Sequence, residues 1–318
     1  MRGSQPGVDV PWEDRRIAVI GGDERDPQIA RLAAATGASV HAYGLPWPGD
    51  GVPGVTLEPT AHAAAAGADY VLFPIPLGIG LQVYAPHAPE PIVADRKLLS
   101  VLAPGAHIFL GRATPEVRQA ADEAGIELHE YDPDRELMLL RAPAIVEGAI
   151  HQAIANTDVT INDATVVVVG YGNIGSLLTR HLRGLGAHVH VAARNPIQRA
   201  AAYADGATPL TLEELPALAP SLDMVFSTVP ARVVGRELLE RLPRGSLVLD
   251  IAPPPHHADL DLAAELGHRA VWARGLGRRA PVTVGNSQWM GLRRRIEEIE
   301  RRKRERDGHA AGAGWAGR

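Results

Sequence analysis

Apolar positions in this chain fall into two series of short runs, each run closed by glycine or proline and followed by residues at helical spacing. The first series opens with "RRIAVIGGDERD", where residues 17–20 read as an apolar strand that stops at a glycine turn. "DPQIARLAAATG" then carries its apolar residues three and four apart and ends at Gly37, the pattern of an amphipathic helix. "ASVHAYG", "ADYVLFPIP", "GAHIFLG" and "IELHEY" predict further strands, and "PEVRQAADEAG" a helix. "APAIVEGAIHQAIANTD" follows, with Ala and Ile at three- and four-residue spacing, and predicts a largely buried connecting helix that stops at "NTD". The second series, "TVVVVG", "AHVHVAAR", "LDMVFSTVP", "SLVLDIAPPP" and "HRAVWARGLG", predicts five more strands with helices between them.

Strands that alternate with helices indicate a parallel sheet covered on both faces. The expected fold is therefore α/β, with two doubly wound parallel-sheet, Rossmann-like domains joined by a connecting helix. The boundaries read as 1–142 for the N-terminal domain, 143–290 for the connecting helix and second domain, and 291–318 for a charged helix and tail. In that last segment Glu297–Arg301, Glu298–Arg302 and Glu300–Arg304 fall at i,i+4. Each such pair supports a solvent-facing helix by ~0.2–0.5 kcal/mol. "GHAAGAGWAGR" reads as a disordered tail.

Composition removes several function classes. Without cysteine there is no disulfide, thiolate nucleophile or Cys-based zinc site. No apolar run approaches the ~20 residues of a membrane span, and "MRGSQPGVDVPWEDRR" lacks an apolar signal core, so the expectation is a cytoplasmic protein. A net charge of −5, with glutamates interleaved in the basic C-terminal run, argues against nucleic acid as a partner. Of 32 basic residues only Lys97 and Lys303 are lysines, so Schiff-base chemistry would rest on Lys97 alone. No pair of histidines and carboxylates has metal-ligand spacing, no metal is expected, and no G-x-S-x-G elbow appears.

The chemistry lies in "VVVVGYGNIGSLLTRHLRGLGAHVHVAARNP", where Gly170, Gly172 and Gly175 match G-x-G-x-x-G between a valine strand and a helix. In a dinucleotide site Gly170 permits the tight turn, Gly172 admits the pyrophosphate and Gly175 lets helix pack on sheet. The N–H groups around Asn173 and Ile174 then face the phosphates. An NAD site usually ends the next strand in an acid that binds the ribose 2′-hydroxyl. Here the strand ends in Arg194 and Asn195, with no acid until Asp205. Arg194 suits a 2′-phosphate, which favours NADP, with NAD open if Arg194 only stacks on the adenine. Thr228, Val229 and Pro230 end the next strand and are expected beside the nicotinamide half, and His256 and His257 sit at the mouth of the same crevice.

With these pieces in order, the chain resembles the family of dipicolinate synthase A subunits over nearly its whole length. The resemblance rests on "GGD-x-R" at residues 21–25, "PIP" at 74–76, "EGAI-x-x-A-I-x-NTD" at 147–158, the cofactor loop, and "GLGRRAPVT" at 275–283. It implies NADP-linked oxidation of a dihydrodipicolinate-type ring to pyridine-2,6-dicarboxylate, on a branch of the lysine pathway in the mother cell of a spore-former. It also implies a flavoprotein-like second subunit, the B subunit. A dicarboxylate needs cationic clamps, for which Arg25, Arg278 and Arg279 are candidates. Glu147, His256 and Asp23 are candidate bases, in falling order of preference. Arg25 with Asp23 equally suits a loop ion pair, Glu147 a helix brace, and Arg279 a surface position. The chain departs from the family pattern at Arg141, Ile145, residues 253–259 and "LGIGLQVY". Two other readings stay open: an NAD(P)-dependent 2-hydroxyacid or amino-acid dehydrogenase of two-domain type, and a non-catalytic nucleotide-binding assembly subunit. The apolar connecting helix also suits a homo-oligomer.

Overall fold

The apolar run at residues 17–20 is buried throughout and forms β1 (Arg16–Ile20), the centre of a first sheet. A computed structural model describes residues 10–47, 49–132, 134–252 and 257–313, the last seven by backbone alone. After β1 come α1 (Asp26–Ala34), β2 (Ser39–Tyr43), β3 (Val55–Leu57), α2 (Ala61–Ala65) and β4 (Tyr70–Leu72). An antiparallel excursion of β5 (Gly78–Ile79), β6 (Gln82–Val83) and β7 (Ile92–Val93) follows. Then come α3 (Arg96–Leu99), β8 (His107–Leu110), α4 (Pro115–Ala124), β9 (Glu127–Glu130) and α5 (Arg135–Ala155). The main strands run parallel in the order β3-β2-β1-β4-β8-β9, so the order reverses between β1 and β4.

The second sheet repeats this plan. It contains β10 (Thr165–Val169), α6 (Asn173–Gly184), β11 (His188–Ala192), α7 (Pro196–Ala204), β12 (Thr208–Leu210), α8 (Leu215–Leu218), β13 (Met224–Ser227), α9 (Arg236–Leu239), β14 (Leu247–Asp250), α10 (Leu260–Glu265) and β15 (Arg269–Trp272). Its parallel order is β12-β11-β10-β13-β14-β15, with the reversal between β10 and β13. Val166, Val167, Val168 and Val169 are 0% exposed. Burying each such side chain stabilises the strand by about 1.5–3 kcal/mol, which is why a central strand reads as an unbroken apolar run. Both sheets are thus doubly wound α/β, as expected. The edge strands β3 and β12 were not expected: each is three residues long, too short to show a clear apolar period, and the second contains Pro209.

The chain divides into two units, Met1–Met138 with Ala280–Arg318, and Leu139–Arg279. The division falls inside α5. The sequence pattern starts that helix near residue 142, but it begins at Arg135, where the Asp134 carboxylate accepts hydrogen bonds from the Glu136 (2.9 Å) and Leu137 (3.3 Å) amides. Pro143 lies inside the helix, and proline is favoured in a first turn, which is why the pattern points to a later start.

The expected separate segment 291–318 is corrected by α11 (Pro281–Ala313), which belongs to the first unit. Trp289, Leu292, Ile296 and Ile299 form a helical stripe buried with Ile17, Val19 and Ile29. A Cβ on Gly285 would lie 2.8 Å from Gln28 Cβ and 2.9 Å from the Arg25 carbonyl oxygen, so the glycine permits the close approach of α11 to α1. Of the expected ion pairs Glu298–Arg302 forms at 2.7 Å, whereas Glu297 pairs with Arg293. Glu300 is 2% exposed, bonds Arg15 at 2.7 and 2.9 Å and accepts from the Tyr70 hydroxyl. The helix also takes in the first six residues of the expected tail, and 314–318 lie outside the described residues. No helix among the described residues is long and apolar enough to cross a membrane.

Candidate active site

In the second unit the end of β10 meets the end of β13 at the reversal of strand order, the place where open α/β sheets form a ligand crevice. Gly170 turns there with φ +97°, and its amide donates to the Ala192 carbonyl at 2.8 Å. A Cβ at Gly170 would stand 2.4 Å from Val229 Cγ1 and 2.7 Å from Thr228 Oγ1, so only glycine fits. Gly175 is equally constrained, since its Cβ would meet the Gly170 carbonyl oxygen at 2.3 Å. Gly172 differs. It is the N-cap of α6 at φ −89°, ψ −159°, and a Cβ there would meet nothing within 4 Å. No side chain caps α6, which leaves the amides that follow Gly172 facing the open loop. Such a helix start offers donors and positive potential to a phosphate, and the missing Cβ at Gly172 lets it approach.

Around this loop Thr228 donates its hydroxyl to the Val169 carbonyl at 2.9 Å, while Val229 and Pro230 are progressively more exposed. Ser227, which the sequence reading passed over, ends β13 with a buried hydroxyl that has no hydrogen-bond partner among the described residues. Asp250, also passed over, accepts from the amides of Ala252 (2.9 Å), His257 (2.7 Å) and Ala258 (2.8 Å), tying those residues to the end of β14. A carboxylate that ends a strand in a proline-rich loop was its only signal. His256 lies outside the described residues.

At the end of β11 Arg194 is exposed and Asn195 Oδ1 caps α7 by accepting from the Ile197 amide at 2.8 Å. Arg199 Nη1 bridges the carbonyls of Ala193 (2.8 Å) and Arg194 (2.9 Å), holding the turn from which Arg194 projects. The nearest acid in sequence, Asp205, is engaged elsewhere. It accepts from the Tyr171 hydroxyl at 2.5 Å and from Arg180 at 2.9 Å, bonds that hold its carboxyl below the usual range. Burial and the same contact push the Tyr171 phenol up to about 12.

The remaining candidates are placed in pairs. Arg279, in a turn after β15, bonds Glu147 of α5 at 2.8 Å, and both side chains are largely exposed. Arg278 is exposed beside it. This turn follows the outermost strand, three strand spacings or ~14 Å from β10 rather than at the reversal point. In the first unit Asp23 takes a two-pronged ion pair from Arg25, at 2.7 and 2.9 Å, and Arg25 also donates to the Ile75 carbonyl. Both are buried, so the placement is that of a loop brace at the β1–β4 reversal rather than of an open clamp and base. Next to them Asp26 is buried and accepts from the Asp23 amide at 2.8 Å, and burial pushes its carboxyl up to about 7.

Comparisons with known proteins fall on both halves of this arrangement. Residues 16–131 match the N-terminal domain of the dipicolinate synthase A subunit, and residues 144–271 match the NAD binding domain of S-adenosyl-L-homocysteine hydrolase. The dipicolinate synthase A subunit of Bacillus subtilis is 28% identical over 287 residues, which cover 90% of this chain and 97% of that protein. The crystal structure of the dipicolinate synthase A subunit from Bacillus halodurans superposes with a TM-score of 0.80 at 26% identity, over 88% of this chain and 97% of the other. That from Bacillus subtilis gives 0.80 at 27%, over 91% and 97%. The NAD-binding-type domain and the two-domain fold support an oxidoreductase of the NAD(P)-dependent dehydrogenase type. In sequence and in fold, across both units, the chain is a relative of the dipicolinate synthase A subunits.

Proposed function

We propose that the protein is the A-type subunit of a dipicolinate synthase, oxidising a dihydrodipicolinate-type ring to pyridine-2,6-dicarboxylate with NADP as acceptor. In this reading it works in the cytoplasm of a sporulating cell, on a branch of the lysine pathway, beside a flavoprotein-like B subunit. The likeness to the Bacillus subtilis protein over 90% of the chain carries the proposal. Gly170, Gly172 and the amides of Asn173, Ile174 and Gly175 would hold the pyrophosphate, and Thr228, Val229 and Pro230 would flank the nicotinamide. Arg194 and Asn195 would take the adenosine end, with the exposed guanidinium on a 2′-phosphate. The open Gly172 and the uncapped start of α6 suit such a ligand. Bound there, the cofactor supplies a hydride acceptor.

The chain then has to orient a dianion and take up one proton. Arg279 binds a substrate carboxylate by exchanging Glu147 for it, and the freed Glu147 carboxylate accepts the ring proton as hydride leaves. Arg278 adds a second cation, His256 stands as the alternative base, and Asp23 and Arg25 keep the first-unit loop in shape. Aromatisation favours hydride loss, so orientation does most of the work. The test incubates pure protein with NADP and dihydrodipicolinate freshly formed from aspartate semialdehyde and pyruvate, with and without the flavoprotein-like subunit. Reduced-nicotinamide absorbance should grow in step with dipicolinate. No reduction of NADP or NAD in either mixture refutes the assignment.

A further inference from the structure

The first unit gathers a second set of polar side chains that the proposed redox site does not use. His107 opens β8 and Glu127 opens β9, and the parallel register sets them side by side, with His129 two residues further along the edge strand. Residues two apart share a face of a strand, so all three project from the same side. His107 Nδ1 lies 3.1 Å from His129 Nε2, and one Glu127 carboxylate oxygen faces each ring, at 3.5 Å from His107 and 3.7 Å from His129. Metal–nitrogen and metal–oxygen bonds of about 2.0–2.1 Å in a tetrahedral site place neighbouring ligand atoms about 3.3 Å apart. The three observed distances, with a different carboxylate oxygen nearest each ring, bracket that value.

The rings are held in place by their surroundings. His107 is 5% exposed and stacks on Tyr70, with centroids 5.8 Å apart, while His129 stacks on Phe109 at 4.8 Å. Glu127 is largely exposed, which leaves an entry path and a free fourth position for water. The three side chains bring one ligand atom each within 4.8 Å of one another, and a single proton between the two ring nitrogens satisfies only one of the three approaches. Arg295, Arg302 and Lys303 of α11 act on these rings from the packed helix, with Glu300 opposing them at His107. That positive field is a cost to any dication, so the site suits only an ion whose affinity for imidazole nitrogen offsets it, which hard dications lack.

We propose that His107, Glu127 and His129 form a binding site for a divalent transition ion of the zinc class, which pins the edge strand β9 to β8. The site lies at the N-terminal ends of these strands, away from the strand ends where ligand crevices form, so its role is structural. The sequence reading expected no metal because it sought ligands at short spacing, whereas strand pairing joins residues twenty and more apart.

The test uses untagged, metal-stripped, full-length protein titrated with Co2+, then Zn2+. The expected result is a 1:1 complex with the visible absorption of four-coordinate Co2+, displaced by one equivalent of Zn2+, and a Zn2+-dependent rise in Tm that a chelator reverses. Mg2+ should produce neither. His129→Gln and Glu127→Gln, at half-buried and exposed positions, should keep the wild-type circular dichroism and weaken Co2+ binding more than about tenfold. His188→Gln in the second unit, where His188 pairs with Asp163 outside the cluster, should bind Co2+ as the wild type does. Absence of a 1:1 complex, an equal response to Mg2+, or a complex that survives both cluster substitutions overturns the proposal.

Discussion

Gly172 and Gly175 separate what the fold requires from what a ligand requires. Alanine at Gly172 adds a Cβ that meets no protein atom within 4 Å, and φ −89°, ψ −159° lies in extended backbone open to any residue. Loss of unfolded-chain freedom stabilises such a change by about 0.4–1 kcal/mol, while alanine is a poorer N-cap than glycine by a similar amount. Gly172→Ala should therefore melt within a few degrees of wild type. Its Cβ does stand where a pyrophosphate would approach, and pushing that group out forfeits one or two charge-assisted hydrogen bonds of about 1.5–3 kcal/mol each. NADP affinity should fall by about 10- to 10⁴-fold at 1.4 kcal/mol per decade. Gly175→Ala puts a carbon 2.3 Å from the Gly170 carbonyl oxygen, and a forced shift of this kind costs about 1–3 kcal/mol. That variant should lose both Tm and affinity. Calorimetric titration with NADP and thermal melts on the three proteins read the two effects apart. A Gly172→Ala protein that binds NADP within threefold of wild type refutes the proposed placement of the pyrophosphate.

Arg194→Asp should weaken NADP by about 10- to 100-fold, the loss of a charge-assisted pair, and leave NAD unchanged or tighter; equal weakening in paired titrations would refute the 2′-phosphate assignment. Glu147→Gln and Arg279→Ala break an exposed ion pair worth about 0–1 kcal/mol, so Tm should hold in both while kcat falls in the first and KM rises in the second. In the first unit, burial raises the Glu300 carboxyl, but hydrogen bonds from Arg15 and Tyr70 outweigh it and hold the group below its ordinary 4.5. Its stabilisation is complete above that value and lost as pH falls through the lower folded value, so Glu300→Gln should melt earlier at neutral pH and show a shallower acid transition than wild type. Asp26 runs the other way. Its folded carboxyl, near 7 against 3.8 unfolded, holds a proton the unfolded chain has released, so stability falls as pH rises between those values and Asp26→Asn should flatten that slope in melts taken across the window.

The parts legible in the sequence are those where one local pattern suffices. The buried β10, the glycines after it and the helical spacing of α6 share one continuous stretch, and the structure places them as read. β3 and β12 were not legible, because three-residue edge strands are too short to carry an apolar period. α11 shows why charge can mislead: its arginine–glutamate pairs are real, yet Trp289, Leu292, Ile296 and Ile299 run beneath them as a buried stripe. Side-chain partners were the least legible. Residue type suggested clamps and bases among Asp23, Arg25, Glu147 and Arg279; the Asp23–Arg25 pair is local and was open to reading as a loop ion pair, but that Arg279 faces Glu147, 132 residues away, depends on the packing of distant segments. The His107–His129 contact is of the same kind, created only when β8 and β9 pair.

Two sheets with one strand order raise the question of why the cofactor should choose the second. Each has its reversal point after a central strand that ends in glycine. In the first unit that point is filled by the chain itself: the Gly22 amide donates to the Tyr84 carbonyl at 2.8 Å, a Cβ on Gly21 would lie 2.8 Å from Val83, and Asp23 and Arg25 close on Ile75. The excursion β5–β7 thus covers the β1 turn with backbone and apolar atoms. In the second unit no strand excursion intervenes among the described residues and Gly172 faces open space; neither α1 nor α6 has a side-chain cap, but the Asp23, Arg25 and Asp26 amides that lead into α1 are engaged by the loop itself. The same architecture therefore leaves donors free in one sheet and engages them in the other. A phosphate group gains more where donors are preorganised and unsatisfied than where an existing ion pair must first be broken. The asymmetry between otherwise matching sheets, rather than the glycine pattern alone, favours the second unit for the dinucleotide.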